Sequence, residues 1–299
     1  MPFLPYITFS KPNQRQILLL ISGYFLWSAA IFGLSLIGTK TSGNTNWWST
    51  PFLVLQLYTA AQLLFPAVLL QEEKRSRSFY LFWGITLLLS IWLINQIPTT
   101  ILQQPLMAIK SGLLMLIATL IGAALARHVH RLWEIIPIGL AMAVADLASW
   151  MFGPTASFTK QLQEYYQAPI GPPPFIDMIL IKLAFPGAHG LAPAFGLSDW
   201  IMVVFFVIVA SRFDINDNLI GASGKTLAKQ KKIGRYLPVS VVALFLAVFL
   251  AQLSGWFIPA LPLITIIMFI WYALRRLLRQ QKKPASSFFE TNKDNSDHD

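Results

Sequence analysis

Hydrophobic positions along this chain come in long blocks, broken by short polar or charged segments. The blocks lie near residues 17–37, 51–70, 79–95, 106–126, 132–152, 190–211, 237–254 and 257–276. Each approaches the roughly 20 apolar residues a helix needs to cross ~30 Å of hydrocarbon. The pattern predicts an all-α, polytopic membrane protein with about eight transmembrane helices. The first block is too long for a cleaved signal and is followed by no small-x-small site. The longest interruption is 153–189, with Tyr165, Tyr166, Pro169 and the run Pro172–Pro173–Pro174. Its prolines predict an extended, helix-poor path. Within it, the apolar piece Ile176–Phe185 stops at Pro186–Gly187. It is too short to span, so an interfacial or re-entrant segment is expected.

Charge adds direction. Lys11 and Arg15 precede the first block, and Lys74, Arg75 and Arg77 separate the second from the third. Arg127 and Arg131 lie between the fourth and fifth. Arg212, Lys225, Lys229, Lys231, Lys232 and Arg235 lie between the sixth and seventh. Arg275, Arg276, Arg279, Lys282 and Lys283 end the eighth. With eight spans all five groups fall on one side. The opposite side carries only Lys40, Lys110, Lys160 and Lys182. The positive-inside rule makes the rich side cytoplasmic. Both termini are then expected inside, 153–189 outside, and the plasma membrane of a prokaryote is the expected location. Trp47, Trp48, Trp150, Trp200 and Trp256 fall near the expected outer ends and Trp133 near an inner end.

Composition agrees. Apolar residues make up 55% of the 299 residues and charged residues 12%, with a mean hydropathy of +0.57. The absence of cysteine excludes disulfides, iron–sulfur clusters, thiolate zinc and cysteine nucleophiles. The net charge of +10 is explained by cytoplasmic loops, so the lipid bilayer is an expected partner and nucleic acid is not. Gly224–Lys225–Thr226 resembles the end of a P-loop, but Leu219 stands where that motif needs glycine. His128 and His130 belong to a basic loop, and no cofactor or metal is expected. The polar stretch 284–299 is expected to be a disordered cytoplasmic tail.

Two acids lie inside apolar blocks, Asp146 and Asp199. A carboxylate in a bilayer is costly unless neutral, paired or wetted. Counted along helices, the two lie roughly 9 and 13 Å from the same face. Their helices run in opposite directions, and Gly139, Ala143, Gly196 and Ser198 would allow close approach between them. Two carboxyls sharing a site divide their protons, one staying protonated while the other acts as base. That division suits aspartyl proteolysis. It equally suits an ion-coupling site, and a single such acid can be a structural hydrogen-bonding residue.

Several short motifs bear on this choice. Gly196–Leu197–Ser198–Asp199 is similar to the Gly-x-Gly-Asp motif of the presenilin and signal-peptide-peptidase group of intramembrane aspartyl proteases. Pro259–Ala260–Leu261 matches that family's Pro-Ala-Leu motif, and Ala145–Asp146 resembles its Tyr-Asp. Lys182–Leu183–Ala184–Phe185–Pro186 and Arg212–Phe213–Asp214 resemble stretches of the signal-peptide-peptidase branch. The resemblance covers about 132–276. It departs at Ala145, where the family has tyrosine, and at Ser198, where it has glycine.

The resemblance implies a presenilin-like bundle. Beside the four N-terminal helices that hydropathy gives in 1–131, it implies catalytic helices in 132–283, and because the family usually has nine spans, nine transmembrane helices are possible. Asp146 and Asp199 would be catalytic, with Gly196, Leu197, Ser198, Pro259, Ala260, Leu261 and Lys182 binding substrate or shaping the cleft. It implies cleavage of transmembrane helices or remnant signal peptides, without accessory subunits or a cofactor. A proton- or cation-coupled transporter or channel, and a catalytically silent homologue that binds membrane helices, are the alternatives.

Overall fold

The computed structural model describes residues 11–40, 45–72, 76–96, 103–168, 173–188, 190–230, 232, 234–254 and 258–281. The expected tail at 284–299, Pro169, Pro172, His189 and Trp256 lie outside the described residues. The first half holds α1 (Lys11–Gly38), α2 (Thr45–Glu72), α3 (Arg77–Gln96) and α4 (Gln103–Ala126). A 3-10 turn at Leu132–Glu134 leads into α5 (Ile135–Phe152), followed by α6 (Pro154–Gln167) and a second 3-10 turn at Phe175–Met178. Strands β1 (Leu180–Ala184) and β2 (Leu191–Gly196) come next. Helices α7 (Leu197–Arg212), α8 (Gly224–Lys229), α9 (Val239–Ser254) and α10 (Ala260–Gln281) follow.

Among the described residues, six helical stretches are long and apolar enough to cross a membrane: Gln16–Gly38, Ser49–Val68, Arg77–Asn95, Gln103–Ala126, Leu132–Phe152 and Ala260–Leu278. The chain is a polytopic membrane protein built as a helical bundle. Its outer faces fit this. Leu81, Phe82, Ile85, Leu88, Leu89 and Trp92 on α3 are all more than half exposed, as a face turned to acyl chains must be. The expected sixth and seventh spans are helices of 16 residues each, α7 and α9.

The centre of the bundle is the pair α4 and α7. Both are buried on nearly every side, α4 through Ser111–Leu120 and α7 through Met202–Ala210. They approach closely at Gly122, where an added Cβ would lie 2.6 Å from the Ile201 carbonyl oxygen. Small residues permit such close approach between membrane helices. A buried polar knot fixes the pair against α1. Thr119 Oγ1 donates to the Met115 carbonyl at 2.8 Å. It therefore accepts from the Tyr24 hydroxyl and, at 3.0 Å, from Trp200 Nε1. Each polar group is satisfied inside the protein, as hydrocarbon requires.

Two expectations are corrected. The stretch after α5 is not helix-poor: α6 runs for 14 residues. Pro154 occupies its first turn, where proline is tolerated, and Lys160, Gln161, Leu162, Gln163 and Glu164 favour helix. The prolines that suggested an extended path come after this helix. Ile176–Phe185, expected as an interfacial or re-entrant segment, takes the form of the second 3-10 turn followed by β1. The block 190–211 is not helical throughout: its first part is β2, paired antiparallel with β1.

The fold is thus mostly helical with one hairpin. Gly187, at φ +77°, supplies the left-handed residue in the hairpin's connection. Pro193 sits opposite Lys182, where the register slips. A bulge is one of the few places a strand tolerates proline.

β1 is anchored on its far side. The Lys182 amide donates to Ser111 Oγ at 3.1 Å. Buried Gln56 reaches from α2 like one peptide unit of a further strand, accepting from the Ala184 amide at 2.9 Å and donating to its carbonyl at 3.0 Å.

Candidate functional site

A cavity of about 520 Å³ opens beside the hairpin, and both Asp146 and Asp199 line it. Asp146 comes from the C-terminal half of α5 and Asp199 from the first turn of α7. The two carboxyls lie within electrostatic reach of each other. The expected helical depth of Asp199 is corrected, because most of the residues counted before it form β2. A strand, not a helix, delivers the chain to this acid.

The two acids are held differently. Asp199 Oδ2 accepts the Gly196 amide at 2.8 Å, a bond from the third helical residue back to the cap position. Asp146 Oδ2 is buried and has no hydrogen-bond partner among the described residues. The Leu261 backbone amide neighbours the Asp146 carboxyl. Leu261 is the second residue of α10, where backbone amides have no partner within the helix. Pro259 lies just before that helix. The Pro-Ala-Leu segment thus turns the amide end of α10 toward the acid of α5.

Of the other site residues, Gly196, Leu197, Ser198, Ala260 and Leu261 line the cavity with Ala145, while Pro259 flanks it. Lys182 is not among the lining residues. It is buried, and its ammonium pairs with Asp177 Oδ2 at 2.6 Å. The expected contact of α5 with α7 through Gly139 is also corrected. Gly139 faces α10, where an added Cβ would meet the Phe269 ring at 2.9 Å and the Thr265 methyl at 3.1 Å. The acids meet across a cavity, not across a tight helix pair. Small residues permit close approach but do not name the partner.

The sequence reading missed the groups that build the cavity's far wall. Phe158, Thr159 and Leu162 of α6 line it, as do Ile176, Ile179 and Leu180. The one signal for this wall was an opposite-charge pair, Asp177 and Lys182, inside an otherwise apolar run. Among the described residues, no group of three His, Cys, Asp or Glu side chains converges to hold a metal ion. No family model matches the chain, and no curated protein matches it.

Proposed function

We propose that this protein is an intramembrane aspartyl endopeptidase that hydrolyses peptide bonds within transmembrane helices or remnant signal peptides. The observation that carries the reading is that Asp146 and Asp199 both line one cavity in a membrane bundle, Asp146 presenting a buried, unpartnered oxygen to it. In this reading one carboxylate takes a proton from water, which attacks the peptide carbonyl. The other, protonated, donates to the carbonyl oxygen. The C–N bond then breaks as the departing nitrogen takes the proton that the first acid drew from water, and the hydroxyl on the former carbonyl returns its proton to the second acid.

A substrate helix hides its amides in its own hydrogen bonds and must unwind to react. The hairpin supplies a place for the unwound segment by strand addition. The far edge of β1 is occupied by Ser111 and Gln56. Addition therefore falls to β2, whose Ala194, Phe195 and Gly196 line the cavity. In this reading α7 and α9 also cross the membrane, giving eight spans with both termini cytoplasmic. A membrane-impermeant thiol reagent on intact cells should then label Ser157→Cys and spare Ser223→Cys.

The decisive test is cleavage of a helical membrane peptide by the purified protein in liposomes. Asp146→Asn and Asp199→Asn should each abolish it, and robust turnover by either variant ends the assignment. The same unpartnered oxygen also suits a proton or cation carrier. Ion-dependent solute flux that is lost on mutating either acid, with no cleavage, would favour that reading.

A further inference from the structure

Three separate elements form the cavity's far wall, and each gives one side chain to a single polar chain, of which Asp177 and Lys182 are buried and Tyr166 is partly exposed. The Tyr166 hydroxyl, near the end of α6, donates to Asp177 Oδ1 at 2.9 Å. Asp177, in the second 3-10 turn, takes the Lys182 ammonium on its other oxygen at 2.6 Å. Lys182, on β1, also lies 5.7 Å from the centre of the Tyr166 ring. The side chains of Asp177 and Lys182 are each only 5% exposed. Burial and the neighbouring Asp177 carboxyl push the Tyr166 phenol well above its usual range, so it remains a donor.

These elements carry the wall's lining residues: Phe158 and Leu162 on α6, Ile176 and Ile179 at the turn, and Leu180 on β1. β1 is itself pinned to α2 and α4 by Gln56 and Ser111. The polar chain therefore transmits the fixed position of β1 to the turn and to α6. Lys110 of α4, which donates to Asn95 Oδ1 at 3.0 Å, interacts electrostatically with both Asp177 and Lys182. One carboxylate thus lies among two ammonium groups.

We propose that Asp177 is a positioning residue that, through Lys182 and Tyr166, latches α6 and the turn to β1 and so fixes the shape of the cavity against which substrate is fitted. It touches neither candidate catalytic acid. Its expected signature is on substrate fit, with the chemical step left intact. This signature rests on the proteolytic reading, whereas the latch does not. Asymmetry follows from the charges. Removing Asp177 leaves Lys182 and Lys110 facing each other with no anion between them. Removing Lys182 leaves Asp177 with Tyr166 and the field of Lys110. Asp177→Asn should therefore loosen the wall more than Lys182→Met, and Tyr166→Phe least, since it keeps the ion pair.

The test uses a cysteine introduced at Ala251, a lining residue on α9 outside the latch and outside the proposed catalytic machinery. The chain has no other cysteine, so alkylation by a water-soluble maleimide in liposomes reads access to the cavity without any need for turnover. Asp177→Asn should speed alkylation by roughly tenfold, as for a wall that opens locally more often. Tyr166→Phe should speed it about twofold to threefold by the same route. The exchange Asp177→Lys with Lys182→Asp should return the rate toward that of the parent. On cleavage, Asp177→Asn should raise KM and leave kcat within about a factor of two.

Unchanged alkylation in Asp177→Asn and Tyr166→Phe would overturn the latch, and a fall in kcat at constant KM would overturn its role in substrate fit. If Asp177→Asn does not fold, the Tyr166→Phe rate decides alone. If the variants show the alkylation pattern but the parent cleaves nothing, the latch stands and the proteolytic reading falls.

Discussion

Asp199 accepts the Gly196 amide hydrogen at 2.8 Å, so the side chain proposed to do chemistry also caps the helix that carries it. The two roles separate by substitution. In Asp199→Asn the amide oxygen can still accept from Gly196, so the fold should stay near parental stability while cleavage is lost. Asp199→Ala should lose cleavage and also about 1 kcal/mol of stability, the usual cost of a lost helix cap. Thermal unfolding of the three proteins in one detergent checks this. Equal midpoints for the Asn and Ala variants would show that the bond does not support α7.

Two glycines should differ in their tolerance of alanine. At Gly122 a Cβ would lie 2.6 Å from the Ile201 carbonyl oxygen and 2.9 Å from Val204 Cβ. Gly122→Ala must push α4 and α7 apart, at a cost of about 1–3 kcal/mol. At Gly196 the nearest atoms would be Ser198 Oγ at 3.4 Å and Asp199 Oδ2 at 3.5 Å, which is ordinary contact. Gly196→Ala should therefore unfold with the parent. A loss of cleavage in that stable variant would reflect the approach of substrate to β2.

The hydroxyl of Thr119 serves three neighbours, Met115, Tyr24 and Trp200. Thr119→Val keeps the volume but leaves the Tyr24 hydroxyl and Trp200 Nε1 without their acceptor, at about 1–3 kcal/mol for each unmade bond. Thr119→Ser restores the acceptor and should recover most of the loss. Because Trp200 follows Asp199 in α7, the Val variant should also cleave more slowly than its residual folded fraction accounts for.

Asp217 makes the stability of the α7–α9 connection depend on pH. Burial pushes its carboxyl up to about 7, although the Tyr236 hydroxyl, donating at 2.6 Å, opposes the rise. An unfolded Asp titrates near 3.9. Between these values the folded state binds more protons than the unfolded one, so this group's contribution to stability falls as pH rises and levels off above about 7. Melting temperature should decline from acid toward neutral pH in the parent, and Asp217→Asn should flatten that decline. A parallel decline in the variant would assign the dependence to other groups.

Hydropathy and loop charge made the polytopic bundle legible, because a helix in lipid must announce itself through length and composition. Asp146 and Asp199 stood out for the same reason: a carboxyl in an apolar block has few neutral explanations. The hairpin was not legible. Leu180–Ala184 and Leu191–Gly196 are runs of five and six residues, and apolar runs of that length read alike as strand or as buried helix. What settles them is Gln56, whose amide meets Ala184 across 128 residues of sequence, a pairing no local pattern encodes. Gly139 was recognised as a contact residue but given the wrong neighbour, because small size marks a close approach without naming what approaches.

The hairpin also has a consequence for the lipid around it. A helix of 16 residues, such as α7 or α9, reaches about 24 Å at 1.5 Å per residue, short of the roughly 30 Å of hydrocarbon. At its start α7 gives way to β2, whose edge carries backbone groups that hydrocarbon cannot satisfy. In the proposed eight-span reading, headgroups and water dip toward the hairpin to meet them. The leaflet on this side is then expected to thin locally, since a short hydrophobic length draws the bilayer in. Lipid thickness becomes a control on the protein in its own right. Longer acyl chains should pull hydrocarbon over the hairpin and dry the cavity, and shorter ones should leave it wet.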